Sequence, residues 1–274
     1  MIIFHGGGFI VGNGADDARW AGALVNDLDA VVIAVNCRCA PAYSFPTPVE
    51  DGADAICYIA REARSLGIDP EKLFISGFSA GGNLAFSSYL LTQSPITWSY
   101  PAFPAPKFVG IVGFYPVLDF TVSRKTKKAN SVKPESCLPE FLTSIFDQSY
   151  LHPMPEDLRD ARLSPAQAPE EHLKSLPPVH LCCCEHDMLM AEGNHFRDRL
   201  EGMGKHVKWR LVQGEAHAWD KGFAKSEKPT VQIEYDQAMG SILSWLGEPE
   251  RARMMINRAE EGAKAAEAGK AKQR

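Results

Sequence analysis

The chain has 274 residues, 45% of them apolar and 23% charged, with a formal net charge of -5. That apolar content excludes disorder for most of the chain and suits one large domain or two small ones. The acidic balance excludes a nucleic-acid footprint, and the lack of any long apolar run excludes a membrane span.

Strand and helix patterns alternate. The chain opens on a buried strand, Ile2–His5, with no basic n-region, long apolar core or cleavage site of a signal peptide. Further short β-branched runs occur at Ala30–Asn36, Leu73–Ser79, Phe108–Tyr115, Val179–Glu185 and Val207–Val212. Their near-continuous apolarity predicts parallel strands covered on both faces. Helical periodicity lies between them, at about Asp16–Leu28, Pro48–Leu66, Gly82–Leu91, Ala191–Met203 and Pro229–Leu246. This order predicts an α/β fold with a mostly parallel central sheet flanked by helices.

Residues 117–178 break the rhythm. They are proline-rich, carry a basic patch (Arg124, Lys125, Lys127, Lys128) and include an apolar segment, Leu138–Tyr150. This is too long for a plain loop and predicts a helical cap insertion, with the basic patch read as solvated. The main domain is therefore expected over residues 1–246. Residues 247–274, rich in Ala, Glu, Lys and Arg, are expected to be a charged tail, a frayed helix or disordered.

The seven cysteines are an odd number, and Cys182, Cys183 and Cys184 are adjacent. Reduced thiols in a cytoplasmic setting are the simplest reading. Neighbouring strand residues point to opposite faces, so the triple cysteine is poorly placed to hold a metal.

Three stretches carry chemistry. Gly77-Phe78-Ser79-Ala80-Gly81 stands where a strand ends and a helix begins. A serine in such a sharp turn projects its hydroxyl from the sheet, and small neighbours are needed on steric grounds. Alone, the pentapeptide is equally compatible with a structural turn. His5-Gly6-Gly7-Gly8 follows the first strand. The amides of Gly7 and Gly8, with that of Ala80, are candidates for an oxyanion hole. The alternative, a phosphate-binding loop, lacks the Lys-Ser/Thr pair and the glycine spacing it needs. His5 is read as a brace for this loop. Asp187 and His217 follow the strands Val179–Glu185 and Val207–Val212, which places both at the same sheet edge as Ser79. Glu185, His180, His186 and His195 are the competing carboxylate and imidazoles. Phe9, Trp20, Phe114, Phe141, Phe146 and Trp219 are candidates for a pocket lining or for plain core.

The chain order Ser79, Asp187, His217 is that of an α/β-hydrolase triad. Several separated motifs resemble the hormone-sensitive-lipase-like (HGGG) esterase/lipase branch of that family over roughly residues 1–246. They are His5-Gly6-Gly7-Gly8-Phe9, Arg38-Cys39-Ala40-Pro41, Phe45-Pro46-Thr47-Pro48-Val49-Glu50-Asp51, Gly77–Asn83, Tyr115-Pro116-Val117-Leu118-Asp119 and Leu163-Ser164-Pro165. The resemblance implies a serine carboxylesterase or lipase acting on small to medium esters, with no cofactor. It implies Ser79 as nucleophile, His217 as base, Asp187 as its orienting acid, and Gly7, Gly8 and Ala80 as oxyanion donors. Phe78 departs from the small or acidic residue common at that place, as do Cys39 and Ala42 from the leucine and glutamate of the second motif. The resemblance further implies two strands and part of the cap ahead of the glycine loop, which this sequence does not contain. The strand Ala30–Asn36 is then expected at an open sheet edge, with lower stability or pairing to another chain, such as a second copy, as the outcome. Acyl transfer or amide hydrolysis on the same acyl-enzyme, and a catalytically silent ligand-binding or truncated member of the family, are the competing functions.

Overall fold

The computed structural model describes residues 1–101, 104–222 and 228–272. Among the described residues, six strands form one sheet: β1 (Ile2–Phe4), β2 (Ile33–Val35), β3 (Phe74–Phe78), β4 (Gly110–Phe114), β5 (Val179–Cys184) and β6 (Val207–Val212). All neighbouring pairs are parallel, in the order β2-β1-β3-β4-β5-β6. From β1 the chain steps outward to β2, then returns to place β3 on the other side of β1. The order therefore reverses between β1 and β3. Ligands of open α/β sheets bind beyond the carboxyl ends of the strands at such a reversal. β1 leads there into His5–Gly8, and β3 into Ser79.

The strand period of two sorts side chains onto two cores. Ile2, Phe4, Ile75, Ile111, Leu181 and Cys183 pack under α2 (Thr47–Glu62), α3 (Ala80–Gln93) and α7 (Met190–Gly202). Ile3, Phe74, Phe78, Val112, Phe114, Cys182 and Cys184 pack under α1 (Ala18–Leu28) and α8 (Pro229–Trp245). The adjacent cysteines thus alternate between faces. Burial pushes all three thiols well above their ordinary pKa, so they stay protonated. Among the described residues, no helix is long and apolar enough to cross a membrane. β2 forms one edge of the sheet, with Ala34 exposed.

Between β4 and β5 the chain forms α4 (Arg124–Ala129), α5 (Glu140–Tyr150) and α6 (Glu170–Leu173). The basic patch here is not uniformly solvated. Lys127 is buried, with its ammonium on Asp119 O and on the Glu192 carboxylate of α7. Arg124 pairs with Asp147 of α5 at 3.2 Å and lies over the Phe120 ring. Lys127 therefore fastens the insertion to the body and Arg124 braces α4 against α5 within it, while Lys125 is exposed and Lys128 half-buried.

Residues 249–272 correct the expectation of a frayed or disordered tail. They form one helix, α9 (Pro249–Lys272), packed along α8. Its buried stripe is built of small residues, Ala252 and Ala259, so the sequence shows little hydrophobic signal. Arg258 pairs with Asp27 of α1 at 2.9 Å and with the buried Asp236 of α8 at 2.6 Å. Gln273 and Arg274, the last residues of the expected tail, lie outside the described residues.

Candidate active site

The site is assembled from strand ends. Ser79 sits between β3 and α3 at φ 53°, ψ -114°, a region costly for a residue with a side chain. The surroundings over-determine it. Its N–H donates to Phe114 O (2.9 Å), and its carbonyl accepts from Asn83 N (3.1 Å) and Val117 N (3.2 Å). The turn closes only because Gly77 and Gly81 lack side chains. A Cβ at Gly77 would collide with Gly81 O, and one at Gly81 with Phe4 O.

The glycine loop faces this turn. Gly7 and Gly8 have φ of 116° and 63°, the region that glycine enters without steric cost. A Cβ at Gly7 would strike Val11 O, and one at Gly8 would enter the Phe146 ring. Gly7 O accepts from the amides of Ile10 (3.2 Å) and Val11 (3.1 Å). The amides of Gly7 and Gly8 make no backbone hydrogen bond among the described residues. Ala80 is the first residue of α3, so its amide has no acceptor within the helix. His5 is buried, with Nδ1 2.7 Å from Gly6 O, which is the bracing contact expected of it.

Asp187 and His217 complete a hydrogen-bonded line. The Ser79 hydroxyl donates to His217 Nε2 at 2.8 Å, and His217 Nδ1–H donates to Asp187 Oδ2 at 2.6 Å. Asp187 Oδ1 accepts from Leu189 N at 3.1 Å, which leaves the carboxylate little freedom to turn. The competing groups lie elsewhere. Glu185 accepts from Gly214 N (2.7 Å) and so holds the loop that carries His217. His180 is buried in β5 against Ser241 at 2.8 Å, and burial lowers its pKa to about 3, so it stays neutral. His186 lies 3.6 Å from Glu185, and His195 is in α7.

A cleft of about 940 Å³ opens over Ser79 and His217, roofed by Leu138, Leu142 and Phe146. Of the aromatic candidates, Phe146 and Trp219 line it. Phe9 is buried and stacks on Tyr150 of α5 (3.8 Å, 3°). Trp20 and Phe114 are core, and Phe141 is 69% exposed.

Three residues of this cleft were not legible in the sequence. Asp220 is buried and accepts hydrogen bonds from the hydroxyls of Tyr115 and Tyr235, the latter at 2.9 Å. Lys221 pairs with Asp220 at 2.8 Å and with the buried Asp17 at 2.6 Å. Burial raises the Asp17 carboxyl above its usual range, with Lys221 pulling the other way. Single charged residues beside turns read as solvated, and the one available hint was the nearness in sequence of Asp220 and Lys221 to His217. Among the described residues, no group of three or more His, Cys, Asp or Glu is placed to hold a metal ion.

A family model for the alpha/beta hydrolase fold matches residues 1–221. The chain is 30% identical over 219 residues to an AB hydrolase superfamily protein of Schizosaccharomyces pombe, covering 79% of this chain and 62% of that protein. This chain therefore spans less than two thirds of that relative. It is 30% identical over 233 residues to an arylesterase of Saccharolobus solfataricus, covering 85% and 72% of the two chains. Among solved structures it is similar to EstE1, a thermophilic carboxylesterase from a metagenomic library. There the TM-score is 0.75 at 29% identity, over 89% of this chain and 79% of that one.

Proposed function

The chain belongs to the alpha/beta hydrolase family, in the hormone-sensitive-lipase-like branch its motifs resemble, and from that premise we propose that it is a serine esterase of small to medium carboxylic esters. The observation that carries this reading is the Ser79–His217–Asp187 line facing two glycine amides across one cleft.

In the proposed reaction, Ser79 Oγ attacks the ester carbonyl as His217 Nε2 takes the hydroxyl proton. The amides of Gly7, Gly8 and Ala80 stabilise the oxyanion, and being fixed beforehand they need no reorganisation. His217 returns the proton to the leaving alcohol. It then takes a proton from water as the water attacks the acyl-enzyme, and gives it back to Ser79 as the acid departs. Asp187 keeps the proton on Nδ1 and stabilises the imidazolium. No cofactor enters any step. The apolar roof of Leu138, Leu142 and Phe146 suits an acyl chain, and the preference for short to medium length follows from the family resemblance.

An organophosphonate is expected to label Ser79 covalently, with loss of p-nitrophenyl ester hydrolysis and none of either in Ser79→Ala. A folded, unlabelled wild-type chain would instead support a silent binding protein. A series of p-nitrophenyl esters of increasing length then reads the acyl preference.

A further inference from the structure

Phe78, the departure noted within the serine turn, has a partner outside that turn. Its ring is fully buried and stacks on Phe114 (4.5 Å, 6°). The Lys221 ammonium stands over it, 3.5 Å from the ring centroid. The same ammonium reaches Asp17, just before α1 at the end of the glycine-loop segment, at 2.6 Å. It also reaches Asp220, at 2.8 Å, whose carboxylate is fixed by Tyr115 at the end of β4 and Tyr235 of α8. Lys221 lies four residues beyond His217, in a single 3-10 turn (Trp219–Lys221) entered through Ala218 at φ 58°. Tyr115 itself packs edge-on against the His217 ring, with centroids 4.8 Å apart. One ammonium therefore touches the serine turn, the glycine-loop segment and the histidine loop, the three pieces whose mutual placement the reaction requires.

We propose that Lys221 is a positioning residue: clasped between Asp17 and Asp220 on the face of Phe78, it registers His217 with Ser79. The inference rests on the esterase reading above. A cation held by two carboxylates is already satisfied, which assigns it to geometry rather than to an anionic substrate.

The test compares wild type with Lys221→Met, which keeps the stem and removes the charge. Steady-state hydrolysis of p-nitrophenyl acetate and the rate of organophosphonate labelling at Ser79 are read. Loss of registry lowers kcat and the labelling rate by about 10- to 100-fold, with KM changed less than about 2-fold. Lys221→Arg, whose fork reaches both carboxylates and stacks on an aromatic face, regains most of kcat. Asp17→Asn gives a smaller loss of the same kind and serves as the readout if Lys221→Met does not fold. Unchanged kcat with only a lowered Tm overturns the proposal, as does a loss carried by KM, which would make Lys221 a substrate anchor. An unlabelled, inactive wild-type chain overturns the esterase reading and this inference together. A labelled wild type with an unaffected Lys221→Met overturns this inference alone.

Discussion

The sheet-borne wall of the cleft and its cap-borne roof are held in different ways. On the wall, Ser79, Asp187 and His217 stand at strand ends, each tied by backbone amides, buried carboxylates or glycine contacts that admit no added atom. On the roof, α5 presents Leu142 and Phe146 inward and leaves Phe141 and Ile145 exposed on its outer side. It meets the body at Tyr150, whose ring stacks on Phe9 and whose carbonyl accepts from Phe45 N at 2.9 Å, and the partly exposed Arg124–Asp147 pair ties it to α4. The residues of the wall are thus fixed one by one by directional bonds, whereas Leu142 and Phe146 of the roof meet the cleft through apolar contact, so substitutions on the wall should change rate and those on the roof should change selectivity.

The sharpest test of the wall is Asp187→Asn. It preserves shape but lets the imidazole adopt the wrong tautomer, and kcat for p-nitrophenyl acetate should fall by about 10⁴-fold with little change in Tm. A fall below about 10-fold would deny Asp187 its place in the line. Next, Gly8→Ala forces a side chain into a left-handed position already filled by the Phe146 ring. Loss of the loop's donor geometry should lower kcat by about 10²- to 10³-fold. Because the clash is with the roof, Gly8→Ala combined with Phe146→Ala should recover part of that loss, whereas independent sites would multiply.

A smaller effect probes the wall's rigidity through pH. Buried His180 has its pKa lowered to about 3, against 6.5 for the free side chain. Below pH 6.5 the unfolded chain binds a proton that the folded chain refuses, so its stabilising contribution is complete above 6.5 and is lost as pH falls toward 3. By pH 5 the loss attributable to this residue is roughly 2 kcal/mol. His180→Asn, which keeps a partner for Ser241, should flatten urea-unfolding stability between pH 7 and 5 by about that amount. The smallest effect belongs to the roof alone. Phe146→Ala should leave acetate ester hydrolysis within about 3-fold and shift preference toward longer acyl chains by roughly 10-fold. Equal changes for all chain lengths would place Phe146 with the wall.

This contrast also explains what could be read in advance. β6 matches its sequence range residue for residue, and the other strands are shorter than their apolar runs by one to four residues. Period-two apolarity reports burial on both faces directly, and glycine reports the turn at Ser79, where close approach leaves no room for a Cβ, and the loop after β1, where φ is positive. The placement of Asp187 and His217 followed because parallel strands all deliver their ends to one edge. Lys127 was read as solvated, and Asp17, Asp220 and Lys221 escaped notice, because a buried ion pair leaves no periodic trace. Its meaning lies in a partner far along the chain, as between Lys127 and Glu192. α9 escaped for another reason. Alanines that pack closely against α8 carry almost no hydropathy contrast, and the approach is read only in three dimensions, where Gly240 meets Ile256.

α1 is pinned at both extremities. Asp17 ahead of its first turn grips Lys221, and Asp27 in its last turn grips Arg258 of α9. A short spar fixed at each end transmits thrust instead of absorbing it. On the role proposed for Lys221, the outer helix, though remote from the serine, shares the frame that sets the imidazole's bearing.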